Sequence, residues 1–143
     1  RGSHTSQLLP SNTLTLWAYT DMSDERWTWG EKYIMLQQRA NMPPQKVGVD
    51  VRDGWAAAIR DGVLFVKRFD KTPDAIYPDM NSVVEVFTNH FMLELETLGH
   101  MQMLAPGASL EHQETWYLFD GVEMPQNDAD VDAHILPKIV ETG

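Results

Sequence analysis

Residues Trp55 to Phe69 carry the strongest short-range hairpin signal in the chain, because the runs WAAAIR and VLFVKRF flank a central Asp61-Gly62. A two-residue Asp-Gly link between strand-like runs suits the tight turn whose twist matches two antiparallel strands, so a β-hairpin is predicted here. The rest of the chain has the same texture. Eight Pro and nine Gly punctuate runs rich in Val, Thr, Trp, Tyr and Phe, which favours a β protein over a helical one. At 143 residues there is material for one core and not for two.

The unit around which the rest of the chain is expected to be organised is Phe91 to Phe119, which combines strand alternation, a turn and the best cluster of ionisable groups. From Phe91 to Leu98 the side chains alternate, so Phe91, Leu93, Leu95 and Thr97 share one face while Met92, Glu94, Glu96 and Leu98 share the other. Pro106-Gly107 has the composition of a type II turn, with proline fixing φ at the second position and glycine accepting a positive φ at the third. The chain is then expected to return through Leu110 to Phe119, making a two- or three-stranded antiparallel unit.

Further strands are predicted over Thr13 to Tyr19, Tyr33 to Gln38, Lys46 to Val51 and Ser82 to Thr88, giving about eight or nine in all with a typical length of about 5 to 6 residues. Asn41 to Pro44 interrupts pairing, since proline cannot donate to a ladder. Thr20 to Trp29 reads as a loop or single helical turn capped by Ser23, with Trp27 and Trp29 folded back onto the sheet. After Gly121 a short peripheral helix is expected, capped by Asn127 or Asp128 and ended or kinked by Pro137, with Val131, Ile135 and Leu136 at helical spacing. The expected division is residues 1–8 as a tag remnant and lead-in, 9–122 as a β-sandwich domain, and 123–143 as a partly helical tail. Arg1-Gly2-Ser3-His4 has the look of an expression tag, so His4 enters no site.

Charge and composition exclude several functions. Acidic residues outnumber basic ones 21 to 11, and the net charge of −10 repels a polyanion at long range, so no nucleic-acid partner is expected. No apolar run approaches the roughly 20 residues that span a bilayer, and no signal peptide opens the chain, so a soluble protein with no membrane partner is expected, the cytoplasm being favoured. With no cysteine there is neither a disulfide framework nor thiolate chemistry. The histidines show no HxxxH, HxH or HExxH spacing and no metal is expected; nor does any dinucleotide, phosphate-loop or serine-hydrolase motif occur, so no cofactor is expected.

Two features remain. Glu94 and Glu96 lie about 6.8 Å apart on one strand face, and His90 and His100 lie too far along the strand, some 13 Å, to act as proton partners. A partner for Glu96 would have to come from an adjacent strand, where His112, Lys67, Arg68, Lys46 and Arg52 are the available side chains; the alternative is a solvated strand face. The five tryptophans are many for this length. Indole faces stack on the apolar faces of sugar rings, while core filling accounts for most tryptophans in any protein.

The segments LPSNTLTLWAYTDMSDERWTWGEKYI, DGWAAAIRDGVLFVKRF, YPDMNSVVEVFTN and LELETLGHMQMLAPGASLEHQETWYLF resemble the later part of proteins related to galactose mutarotase, the aldose-epimerase-like supersandwiches. The resemblance implies an all-β, twisted antiparallel β-sandwich, a truncated supersandwich with a short C-terminal helix and a carbohydrate site on a concave sheet face. It implies that Glu96, or Glu94 in a register two residues earlier, is the counterpart of the glutamate that takes the anomeric proton. The earlier half of those enzymes, with its general-acid histidine, has no counterpart here. Three readings follow: a sugar-binding protein without the full catalytic machinery; an epimerase-like isomerase using Glu96 as base and His112 or a lysine as second group; or an assembly domain. Trp55, Arg52, Lys67 and Trp116 are the side chains expected to contact a small sugar. A sandwich lacking strands leaves an open edge and apolar face, which a homodimer would cover.

Overall fold

The computed structural model describes residues 12–143; the tag-like opening and the lead-in over Leu8 to Ser11 lie outside the described residues. The described residues form nine strands in three antiparallel sheets, and among them helix is confined to a short C-terminal run apart from one distorted turn. In chain order the strands are β1 (Leu14–Leu16), β2 (Trp27–Trp29), β3 (Ile34–Leu36), β4 (Gln45–Val49), β5 (Trp55–Arg60), β6 (Val63–Phe69), β7 (Val84–Thr88), β8 (Leu93–Thr97) and β9 (Glu114–Phe119). They assemble as a four-stranded sheet β1-β4-β7-β8, a three-stranded sheet β5-β6-β9, and the small hairpin β2-β3.

The Asp61-Gly62 hairpin forms as the sequence predicts. Asp61 and Gly62 both take positive φ, 52° and 79°, the requirement of a type I′ turn, and β5 pairs with β6 from Trp55↔Arg68 to Arg60↔Val63. The Phe91 to Phe119 unit does not form. β8 pairs with β7 in the four-stranded sheet and β9 pairs with β6 in the three-stranded one, so the two expected hairpin arms lie in different sheets. The Pro106-Gly107 turn itself is present, with Gly107 at φ 84° and Ala108 N–H donating to Ala105 O at 3.0 Å, but it sits within a fully exposed connection rather than between strands. The turn chemistry was local and was right. β8 instead turns back on its sequence neighbour β7 through Asn89 to Met92, placing Leu95 opposite Val86, while β9 is taken up by the more distant β6, where Tyr117 and Phe119 lie opposite Val66 and Leu64.

Between β1 and β2, the capping residue is Asp21 rather than Ser23: its carboxylate accepts from the Ser23 backbone N–H at 2.9 Å and from the Ser23 hydroxyl at 2.6 Å. Trp27 and Trp29 are in a strand, stacked with ring centroids 4.9 Å apart, and only Trp27 is buried. The turn is anchored by Arg26, whose fully buried guanidinium meets the Asp24 carboxylate through two bonds of 2.9 and 2.8 Å and the Pro43 carbonyl at 2.6 Å.

Two cores hold the molecule together. One face of the three-stranded sheet, through Leu64 and Val66, is covered by Val122, Val131, Ile135 and Ile139, so the C-terminal tail is part of the core and not peripheral. The tail runs as α1 (Asp128–Asp130), a π-helical turn at Val131–Ile135 and α2 (Leu136–Glu141), with Asn127 as its N-cap accepting from Asp130 N–H. Pro137 does not end it. Proline lacks the N–H that would reach back four residues, and the wider turn ahead of it lets the helix continue through that defect to Glu141. The second core joins Ala56 and Phe69 of the three-stranded sheet to Val83 and Val84 at the start of β7, with Tyr77 beneath.

Candidate functional site

The alternation of β8 sets the site residues apart. Register pairs Glu85 with Glu96 and Val86 with Leu95, so Glu96 and Glu94 lie on the sheet face opposite Leu95 and Thr97. On the Glu96 face, Lys46 from β4 bridges two carboxylates, reaching Glu85 Oε2 at 2.6 Å and Glu96 Oε1 at 3.3 Å, with its ammonium 4.9 Å from the Trp17 ring centroid. Tyr19 stands at the margin, and burial raises its phenol pKa, with Lys46 opposing and Glu85, Glu96 and Glu94 adding to the rise. Burial acts to lower the Lys46 pKa, but its bond to Glu85 and the charges of Glu96 and Glu85 outweigh this and raise it. Lys46 is therefore a committed cation.

The Thr97 face carries a second cluster, between the two larger sheets. Glu114 at the start of β9 is the hub. It accepts from Lys67 Nζ at 3.1 Å, from Trp116 Nε1 at 2.7 Å and, closely, from the Thr97 hydroxyl. Burial acts to raise the Glu114 pKa, and the three donors overcome it and lower it below the ordinary carboxylate value. With its proton committed to Glu114, the Thr97 oxygen accepts from His112 Nε2 at 2.8 Å, which fixes the proton on that ring nitrogen. Trp116 stands out from this network 64 % exposed, its ring held by the Glu114 bond, by an edge-to-face contact with Phe65 at 5.5 Å, and by Lys67 at 5.7 Å from its centroid.

Of the residues singled out in the sequence, Lys67, Trp116 and His112 are thus brought together, while Glu96 and Glu94 occupy the other face. His112 bonds the neighbour of Glu96 in sequence, and the strand pleat separates the two. Trp55 opens β5 and packs against the first core, its ring 6.2 Å from Tyr33. Arg52 lines a cleft of about 570 Å³ beside Arg68, Lys71 and Gln113. The cations of that cleft already have partners: Arg68 donates to the Ile139 and Gly143 carbonyls at 2.6 and 2.7 Å, Lys71 bonds Asp50, and Arg52 lies 3.8 Å from Asp50.

Glu114, Thr97, Phe65, Glu85 and Trp17 are the members of the two clusters that the sequence reading did not select. A signal existed for two of them. Glu114 and Trp116 are two apart on a strand and so share a face, and Glu85 is a lone acid within the apolar run SVVEVFT. Among the described residues no group of three or more His, Asp or Glu side chains is placed to hold a metal ion, and no helix is long and apolar enough to cross a membrane. Comparison with known proteins returns no matching family model, no matching curated protein and no matching solved structure.

Proposed function

We propose that this chain is a carbohydrate-binding protein whose sheets form a sandwich related to the sugar-binding core of aldose epimerases, without their full catalytic machinery, and that Trp116 is the platform for the sugar ring. The observation that carries this reading is an indole left mostly in water yet held in one orientation. An exposed aromatic that is already ordered loses little conformational entropy when a ring stacks on it. Around it stand the groups that sugar hydroxyls require: a carboxylate with lone pairs to spare, an ammonium, a hydroxyl and an imidazole. Ring opening needs both a base and an acid within reach of one substrate. Glu96 and His112 project from opposite sides of the four-stranded sheet, which favours binding without turnover.

The contact between Glu96 and Lys46 favours one second reading, an epimerase-like isomerase in which Glu96 is the base and Lys46 the second group. Titrating glucose, galactose and their methyl glycosides against the intrinsic tryptophan fluorescence, beside polarimetry of freshly dissolved sugar, separates the two. Saturable binding abolished by Trp116→Ala, with mutarotation at the spontaneous rate, is the expected result. Accelerated mutarotation lost in Glu96→Gln would replace it with the isomerase, and the absence of any sugar response would leave assembly as the role. A homodimer belongs to the same proposal: β9 pairs only with β6 among the described strands, and Leu118 beside Trp116 is 70 % exposed. Sedimentation equilibrium at micromolar concentration tests it, and a single species near 16 kDa would exclude it.

A further inference from the structure

His112, Thr97, Glu114 and Trp116 are joined by one chain of hydrogen bonds, and its members differ in what they can still offer to a ligand. Lys67 and Glu114 pair at 3.1 Å, so their charges cancel. The lysine side chain is only 13 % exposed, and its ammonium faces the Trp116 ring, 5.7 Å from the centroid. That cation is spent. Glu114 has Oε1 filled by Lys67 and Thr97, while Oε2 accepts once, from Trp116 Nε1, which leaves a single lone pair on Oε2. Thr97 gives its only proton to Glu114 and accepts from His112 Nε2 at 2.8 Å. The capacity that remains consists of acceptors, which suit the hydroxyls of a neutral sugar and give a carboxylate no free donor.

His112 is the member whose role changes with a proton near neutral pH. Its Nε2 proton is committed to Thr97, whereas Nδ1 has no hydrogen-bond partner among the described residues. Gly99 keeps that nitrogen open, since the first atom of any side chain there would already stand 3.9 Å from it. As neutral imidazole, His112 presents a lone pair at Nδ1. As imidazolium it presents an N–H donor, and the network goes from zero to one positive charge. Histidine is the side chain whose ordinary titration falls between about pH 5 and 8. Glu114 stays ionised over that range: burial acts to raise its pKa, but its three donors outweigh this and lower it. The other charged groups nearby are Glu111, exposed and next to His112 in the chain, and Glu94 and Glu96 of β8, which lie on the opposite sheet face.

We propose that His112 determines the charge of the sugar that this site accepts: a neutral glycoside while the imidazole is neutral, and a uronic acid, held through its carboxylate by Nδ1–H, once the imidazole is protonated. The inference rests on the reading of Trp116 as a sugar platform, with the ring stacked on the indole and the carboxylate toward His112. By linkage, a ligand that prefers the imidazolium binds more tightly as pH falls, and its binding raises the midpoint at which His112 titrates.

Calorimetric titration of the full chain with methyl glucoside and methyl glucuronide, at about pH 5 and about pH 8, tests this, because the two ligands differ only at the carbon that bears the carboxylate. The glucuronide should bind at least about tenfold more tightly at the lower pH, the factor expected of one charge-assisted hydrogen bond. The glucoside should show no such step. In His112→Gln, whose carboxamide can still donate to Thr97, the glucuronide affinities at the two pH values should converge. Proton magnetic resonance of the imidazole gives a second readout: saturating glucuronide should raise the His112 midpoint, and the glucoside should not. Acetate should fail to compete, having no ring to stack on Trp116. Binding of neither glycoside would remove the sugar platform and this inference with it. Glucoside binding accompanied by equal glucuronide affinity at both pH values, a step that survives in His112→Gln, an unmoved His112 midpoint, or acetate competing as well as the glucuronide would overturn the role of His112 alone.

Discussion

Two glutamates, each bonded to a lysine across a sheet and each largely buried, have opposite electrostatics. Glu114 is 17 % exposed and is served by a lysine, a hydroxyl and an indole N–H; its pKa falls. Glu85 is 3 % exposed, has one lysine, an orphaned oxygen and a second acid beside it; its pKa rises. Burial acts upward on both. What separates them is the number of donors that favour the charged form, so donor count rather than depth decides whether a carboxylate's pKa falls or rises here.

The harshest way to press this contrast is to remove the lysines. Lys46→Met leaves Glu85 with no cation and should cost about 3 to 5 kcal/mol at neutral pH, the loss shrinking as acidification neutralises the carboxyl. Lys67→Met leaves Glu114 with two donors and should cost only about 1 to 2 kcal/mol. Urea denaturation of both variants at pH 7 gives the order, and equal losses would break the comparison.

The pH dependence should separate next. The stabilising contribution of Glu114 is present above the ordinary glutamate pKa and is lost as pH falls through its lowered value, whereas that of Glu85 is present below the ordinary pKa and is lost as pH rises through its raised value. Thermal midpoints across the acid and neutral range should therefore show a flattened acid limb in Glu114→Gln and a flattened upper limb in Glu85→Gln. The same limb altered in both would mean that donor count does not set the sign.

Smaller effects are expected where side chains face water. Trp116→Ala should lower stability by less than about 1 kcal/mol while removing the sugar binding proposed for it, since most of the indole is already exposed. Glu96→Gln should change stability by no more than about 0.5 kcal/mol, because its carboxylate is 33 % exposed and its ion pair with Lys46 is screened. Chemical denaturation resolves the first, and a large loss in the second would place Glu96 in the same class as Glu85.

Part of this arrangement is legible in the chain. Strand segments are readable from alternation at β1, β4 and β8, Asp61-Gly62 marks the turn between β5 and β6, and Asn127-Asp128 marks the start of the tail helix, of which Asn127 is the cap. The site was legible only in pieces. Trp116, Lys67 and His112 are suggestive residue types, yet nothing local says that Glu114 would join them through Thr97, or that Glu96 would face away from His112.

By itself the sequence determined the local events: where strands run, which turns have positive φ, and the mostly β character of the whole. Those choices are made within a few residues, by steric limits on φ and the two-residue period of a strand. Only the tertiary structure decided that β8 and β9 part company, that the tail enters the core through Val131, Ile135 and Ile139, and that Glu85 is starved of donors while Glu114 is supplied. The physical reason is that pairing and burial are set by competition among distant segments for the same apolar cover, and a carboxylate's pKa is fixed by whichever neighbours that competition leaves beside it.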